Sequence, residues 1–323
     1  MNLPDTLIHA LEKELTKISP STLTTASADL TNRYRSRERD KLKVFITSDE
    51  HRLSYLATRM PATYAVVNRV LKDCRLRAPD FLPESLADIG AGPGTASWAA
   101  LDVFPEIAEA VLYEKDSGWL NIGKRLMSES NQAALNRAIW KEADLIEKIS
   151  FDPSDLVILS YVIGELEIEA MKSLISSAWN STNKVLVVIE PGTPHGFERI
   201  RIVRDQLIES GAFLLAPCPH QGKCPMEKGD WCHFSERLER SAFHRHAKGA
   251  SMGYEDEKFS YIAAIKSPVE LPESRILRHP QVHSGHIDFT LCTKAGLEKR
   301  TISRRNKDLY KKAKKLEWGD VGV

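Results

Sequence analysis

The chain has 323 residues, enough for one large domain or two ordinary ones, and its 42% hydrophobic and 28% charged content marks a globular protein, neither disordered nor fibrous. With 45 Lys/Arg against 44 Asp/Glu the formal charge is +1, so no global excess of positive charge singles out nucleic acid or an anionic membrane as partner. Five cysteines are too few for a disulfide scaffold and odd in number, and no segment approaches the roughly 20 apolar residues of a membrane span.

From Pro4 to about Arg77 the apolar spacing predicts helices. Leu7, Ile8, Leu11, Leu15 and Ile18 recur at three- and four-residue intervals, and Leu53, Leu56, Ala57 and Met60 repeat the pattern before Pro61, which must break or restart the helix. The N-terminus bears Asp5, Glu12 and Glu14 and resembles neither a signal peptide nor an Arg-rich, acid-poor transit peptide. A cytoplasmic protein with reduced thiols is therefore expected. Arg33, Arg35, Arg37, Arg39, Lys41 and Lys43 form a basic stretch between the helices, either a solvated face or a phosphate-contacting surface.

After Pro83 short apolar strands, Ser85–Ile89, Ala110–Glu114, Leu156–Tyr161 and Val185–Glu190, alternate with helical patterns at Thr95–Phe104, Gly118–Met127, Glu165–Trp179 and Gly196–Glu209. This alternation predicts an α/β, doubly wound domain with a parallel sheet. The order fails between Gly211 and Ser251, where Cys, His, Pro, Lys and Trp crowd together without periodicity, so that segment is expected to be an insertion. Strands resume at Lys258–Ile265 and His286–Cys292, which suit an antiparallel pair at the sheet edge.

The first predicted strand runs through Leu86-Ala87-Asp88-Ile89 into Gly90-Ala91-Gly92-Pro93-Gly94-Thr95. Glycines at alternate positions turn the backbone sharply, admit a ligand against the main chain and point helix N-terminal amides at it. The spacing is G-x-G-x-G behind an acid, not the dinucleotide G-x-G-x-x-G, and resembles motif I of class I S-adenosylmethionine-dependent methyltransferases. Two further acids fit that fold: Glu114, where a carboxylate accepts ribose hydroxyls, and Asp144, placed to approach adenine. Asp88 belongs near the sulfonium end. Ser160, near the end of the Leu156–Tyr161 strand, completes the cofactor-binding set with the three glycines. The segment Ser160 to Leu166 offers no evident general base or nucleophilic cysteine, so no catalytic residue is assigned. Tyr161 and Glu165 admit two readings, as substrate contacts or as a strand-end aromatic and a helix-start acid.

Cys218, Cys224 and Cys232 are separated by five and seven residues, with Cys292 fifty-nine further on, while Cys74 sits apart in a helix and reads as core. Four thiolates can close a metal site. Zinc accepts four cysteines, or three with His220 or His233, but favours closer pairs; an iron–sulfur cluster tolerates wider spacing and a remote last ligand. Both metals remain open on this chemistry. The charge total also hides a local split, because Lys294 to Lys315 holds ten Lys/Arg against Glu298 and Asp308, a charge of +8 that leaves −7 on the remainder. Such a segment reads as an RNA-facing, phosphate-binding tail in which Tyr310 and Trp318 add base stacking, with a plain solvated helix as the alternative.

Tyr55-Leu56-Ala57-Thr58-Arg59-Met60-Pro61-Ala62-Thr63-Tyr64, the Asp88–Thr95 turn, Ser160 to Leu166, Glu190-Pro191-Gly192-Thr193-Pro194, the Cys-Pro pairs with Trp231-Cys232-His233-Phe234, and Trp318-Gly319-Asp320 together resemble the methyltransferase-like ribosomal small-subunit protein family, which has mitochondrial and bacterial members. The resemblance runs from about residue 30 to residue 320. It implies a [4Fe-4S] cluster held by Cys218, Cys224, Cys232 and Cys292, association with small-subunit ribosomal RNA in ribosome assembly or translation, and a retained S-adenosylmethionine-binding fold. The lack of a transit sequence suggests a bacterial-type member. Two other readings are an active rRNA methyltransferase and a redox- or iron-sensing RNA-binding module. The expected organisation is a helical region over 1–80, a methyltransferase-fold domain over 81–270 with the Cys-rich metal-binding insertion at 211–250, and a final strand and basic tail over 271–323, in a monomer that binds no membrane.

Overall fold

The computed structural model describes residues 3–36, 46–147, 149–240, 244–245 and 253–322. Arg37, Arg39, Lys41 and Lys43 of the early basic stretch lie outside them. Four helices open the chain: α1 (Asp5–Leu15), α2 (Pro20–Ser36), α3 (Asp49–Thr58) and α4 (Met60–Arg77). Ser48 caps α3 by accepting from His51 N, and Pro61 stands in the first turn of α4, where its missing N–H costs nothing.

The sheet is built from β1 (Ser85–Ile89), β2 (Glu109–Glu114), β3 (Ile139–Glu142), β4 (Ser154–Ser160), β5 (Thr182–Pro191), β6 (Phe213–Ala216), β7 (Phe234–Glu239) and β8 (Tyr254–Ile265). Its order is β3-β2-β1-β4-β5-β8-β6, with β7 also paired to β8. The first five strands are parallel, whereas β8 runs antiparallel to β5 and to β6. A 3-2-1-4-5 run followed by one antiparallel strand is the class I methyltransferase arrangement.

Helices α5 (Thr95–Val103), α6 (Ser117–Ser128), α7 (Ala133–Asn136), α8 (Ile168–Ser181) and α9 (Pro194–Glu209) supply the crossovers. The period-two alternation of buried strands splits the core into two layers. Leu156, Ile158, Val185 and Val187 face the side covered by α4 and α5, while Val157, Leu159, Leu186 and Val188 face α8 and α9. Cys74 is fully buried on α4, as its apolar neighbours imply.

Three expectations change. The strand at 258–265 lies inside the main sheet, between β5 and β6, and does not pair with the strand at 286–292. That later strand, β11 (His286–Thr293), joins β9 (Ser274–Ile276), β10 (Gln281–Val282) and β12 (Gly296–Ser303) in a separate four-stranded antiparallel sheet. Segment 211–250 is also not wholly irregular, since it contains β6 and β7, so the loop proper lies between them. The basic tail is folded: β12 pairs with β11 along its length, α10 (Lys307–Ala313) packs on that sheet through Ala313 and Leu309, and Val321 bridges back to Arg275.

Candidate functional site

The glycine loop leaves β1 at the carboxyl edge of the parallel strands, the place where open α/β sheets bind ligands. Gly90, Gly92 and Gly94 have φ of 73°, 55° and 83°. Their surroundings differ. A Cβ on Gly90 would lie 2.5 Å from Val162 Cγ2 and one on Gly94 2.4 Å from the movable tip of Met127, so both positions are crowded as well as left-handed. Nothing lies within 4 Å of the corresponding point on Gly92, which leaves one open cradle at the tip of the turn.

Glu114 holds that turn. Its Oε2 accepts from Gly92 N at 2.7 Å, and its Oε1 accepts from Lys115 N at 2.8 Å and Asp116 N at 2.9 Å. Burial pushes the carboxyl up despite these bonds. A carboxylate has about four acceptor sites, so one remains on Oε2, enough for one hydroxyl rather than the expected pair. Asp144 follows β3, the strand beside β2, and its Oδ2 is ion-paired with Lys115 Nζ, which holds its pKa low.

Asp88 is the most deeply buried of the three acids. It is 1% exposed beneath the loop, with Oδ2 accepting from Ser97 N at 3.0 Å and Ser97 Oγ at 2.8 Å. It thus locks β1 to the first turn of α5, and burial pushes it up to about 7. Asp88 Oδ1, Thr95 Oγ1 and Tyr161 Oη are buried without a hydrogen-bond partner among the described residues. Ser160 ends β4, and its neighbour Tyr161 has φ of 60°, a left-handed conformation that a bulky residue adopts at a cost of about 1–3 kcal/mol. Burial holds the Tyr161 phenol protonated, well above its ordinary range. Glu190, 2% exposed at the end of β5, was not singled out by spacing, yet it lies under the 3-10 turn Ile163–Glu165, with Oε2 2.6 Å from where a Cβ on Gly164 would sit. Its signal was the Glu-Pro-Gly break at the strand end.

The four cysteines, far apart in sequence, line one cavity of about 40 Å³. Cys218 follows β6, Cys224 and Cys232 come from the loop before β7, and Cys292 comes from β11 of the second sheet. Phe197, Met226, Leu277 and Trp231 enclose them. Burial raises the thiols of Cys224 and Cys232 and pushes Cys292 up to about 12, with the neighbouring sulfurs adding to it. Their thiolates therefore need positive charge close by. The guanidinium groups of Arg204 and Arg275, each 3% exposed, line the same cavity. Among the described residues no three of these sulfurs lie mutually within 4.8 Å.

The loop is tied down by residues that the motifs already contained. Trp231 Nε1 donates to Gly192 O at 2.9 Å, Trp318 Nε1 donates to His233 O at 2.9 Å, and the His233 ring sits between those two indoles. Trp318 is thereby used inside the protein, which removes it as a base-stacking residue. Arg275 donates to Pro217 O at 2.9 Å, Gly319 O at 2.7 Å and Asp73 Oδ2 at 2.9 Å, joining the cysteine loop, the C-terminal segment and α4.

Of the ten basic residues between Lys294 and Lys315, nine are exposed on β12, α10 and their connections, while Arg300 is half-buried and ion-paired with Glu298 at 2.7 Å. Arg304 and Lys314 flank the Tyr310 ring at 5.9 and 5.8 Å. The result is a solvent-facing cationic surface on a rigid sheet.

The sheet order and the glycine turn at its centre place the chain in the methyltransferase-fold class. Residues 49–322 match the mitochondrial small ribosomal subunit Rsm22 family, and the chain belongs to that family. It is 27% identical over 289 residues to the Homo sapiens mitochondrial ribosome assembly protein METTL17, covering 83% of this chain and 62% of that one. To the Saccharomyces cerevisiae mitochondrial ribosome assembly protein RSM22 it is 22% identical over 424 residues, covering 83% and 66%. The chain thus spans about two thirds or less of these relatives' length. Among solved structures it is similar to an O-methyltransferase family protein from Burkholderia thailandensis, with a TM-score of 0.48 and 10% identity over 77% of this chain and 72% of that one. The family and these relatives are described as mitochondrial, which overturns the expected cytoplasmic location.

Proposed function

We propose that the protein is a small-subunit ribosome assembly factor that binds S-adenosylmethionine on its glycine loop, carries a [4Fe-4S] cluster on Cys218, Cys224, Cys232 and Cys292, and grips small-subunit ribosomal RNA with its basic second sheet. The observation that carries this reading is the convergence of four distant cysteines on one cavity, the last of them on the strand that pairs with basic β12. Structural zinc sites favour cysteine pairs two to four residues apart, whereas a cluster accepts wider spacing and a remote last ligand, which favours the cluster.

The loop suits the cofactor by three features: the open cradle at Gly92, the last acceptor site on Glu114, and the unpartnered buried oxygens of Asp88, Thr95 and Tyr161. S-adenosylmethionine would supply an electrophilic methyl group there. Gly92 lets the backbone approach the ligand, Glu114 accepts one ribose hydroxyl, and Asp144 reaches adenine only if Lys115 swings off it.

The test is anaerobic purification followed by iron, sulfide and zinc analysis and rRNA binding. About four irons and four sulfides per chain are expected, with retention of small-subunit rRNA. Zinc alone would falsify the cluster. Tritium transfer from labelled cofactor to immature or mature small subunits would instead establish the methyltransferase reading.

A further inference from the structure

At the end of the second sheet remote from Cys292, three side chains that commonly bind metals meet around a short turn. His283 follows β10, His286 opens β11 and Asp288 lies two residues further, on the same face of the strand. His283 N donates to His286 O at 2.9 Å, which stacks the two imidazoles with centroids 4.4 Å and planes 19° apart. Both Nε2 atoms lie 3.4 Å from the same Asp288 Oδ2, and the three ligand atoms lie mutually within 4.8 Å.

A separation of 3.4 Å is long for a hydrogen bond, so neither imidazole is closely bonded to the carboxylate. Metal–ligand bonds of about 2.0–2.1 Å place neighbouring donors of a tetrahedron about 3.3–3.4 Å apart, which both nitrogen–oxygen separations match, while the two nitrogens lie within 4.8 Å of each other. The frame is set around that geometry. Thr301, opposite Asp288 on β12, donates to Asp288 Oδ1 at 2.5 Å, which fixes the carboxylate plane and leaves Oδ2 toward the histidines. Arg304 secures the turn, its N donating to Gly285 O and its Nη1 to Ser284 O, each at 2.9 Å.

The geometry points to a divalent transition-metal site of the zinc class at His283, His286 and Asp288. Two imidazoles with one carboxylate suit zinc rather than magnesium or calcium, which take oxygen shells. Three protein ligands leave a position for water. The site is independent of the cysteine cavity, since His286 and Cys292 stand six residues, roughly 20 Å, apart on one strand. A metal here pins the exposed two-residue β10 to the sheet and adds positive charge beside β12.

The test uses the full chain, stripped with a chelator and compared with His286→Asn and Asp288→Asn by zinc equilibrium dialysis. One zinc equivalent should be lost in His286→Asn, and Asp288→Asn should bind at least tenfold more weakly. Thr301→Val should weaken binding by about 10- to 100-fold while leaving every ligand in place. Cobalt(II) on the wild type should show a nitrogen–oxygen spectrum that vanishes in His286→Asn, alongside any thiolate band from the cysteines, which should persist. Far-UV circular dichroism confirms that each variant is folded, and Asp288→Asn decides the matter if His286→Asn is not. Equal zinc uptake by the wild type and the folded variants overturns the site, as does a wild-type cobalt spectrum of thiolate character alone.

Discussion

Asp88 and Gly92 show how one turn divides its residues between holding the fold and receiving a ligand. Asp88 is buried and raised to about 7 from an ordinary 3.8, so its neutral form is the one the fold favours. Its stabilising contribution is complete below the unfolded value and is lost as pH rises through about 7. Asp88→Asn keeps an oxygen for Ser97 and cannot ionise. Denaturant unfolding from pH 4 to pH 8 should therefore show a smaller loss of stability in the variant, the difference being of the order of a few kcal/mol. The glycines separate by crowding. Gly90→Ala meets Val162 at 2.5 Å as well as an unfavourable φ, and should cost roughly 2–4 kcal/mol in thermal unfolding. Gly92→Ala meets nothing and should cost about 1 kcal/mol while abolishing calorimetric binding of S-adenosylmethionine. Retained binding in Gly92→Ala would remove the cradle from the proposal.

At the scale of elements, β11 connects the two halves of the site, since it carries Cys292 and pairs along its length with β12. Losing a ligand on that strand should be felt on the basic face. Cys292→Ser is expected to release iron and to lower the unfolding midpoint by several degrees, because metal binding and folding are coupled. Equal rRNA affinity with and without the cluster would show that the two surfaces act separately, and would end the redox- or iron-sensing reading. Trp318→Ala tests the clamp from the other side. It removes an indole packed against His233 and His279 and a bond to His233 O, so amide exchange should quicken across 218–234 before the parallel strands respond.

For the whole molecule, charge is distributed by domain: a cationic sheet and helix at the C-terminal end against a net acidic remainder. Phosphate contacts release counterions, so the salt dependence of RNA binding counts them. Changing Lys311, Lys312, Lys314 and Lys315 together to Ala should lower the slope of log K against log salt by up to about 3, with little change in stability. An unchanged slope would place the RNA elsewhere, the early basic stretch being the next surface to test.

By itself the sequence determined the parallel strands β1, β2, β4 and β5, the helices between them and the glycine turn, because buried strands and amphipathic helices impose local periodicities that survive without knowledge of neighbours. It missed β3, whose Ile-Trp-Lys-Glu is mostly exposed at the sheet edge, and it left β6 and β7 inside a stretch dominated by Gly, Pro and Cys. It placed Glu114 at the right strand end and singled out Asp144 without the strand before it, but it gave neither acid its present partner, since hydrogen bonds to Gly92 and an ion pair with Lys115 depend on how neighbouring loops close. Trp318 read as an exposed aromatic in a basic tail because nothing local reveals that His233, 85 residues earlier, receives its N–H. Strand pairing is a long-range choice, which is why the antiparallel partner of β5 and the separate sheet of β11 were decided only in three dimensions. The gathering of Cys218, Cys224, Cys232 and Cys292 around one cavity belongs to the same class. Spacing showed that they could be ligands, and only the packing of two sheets against one loop brought them together.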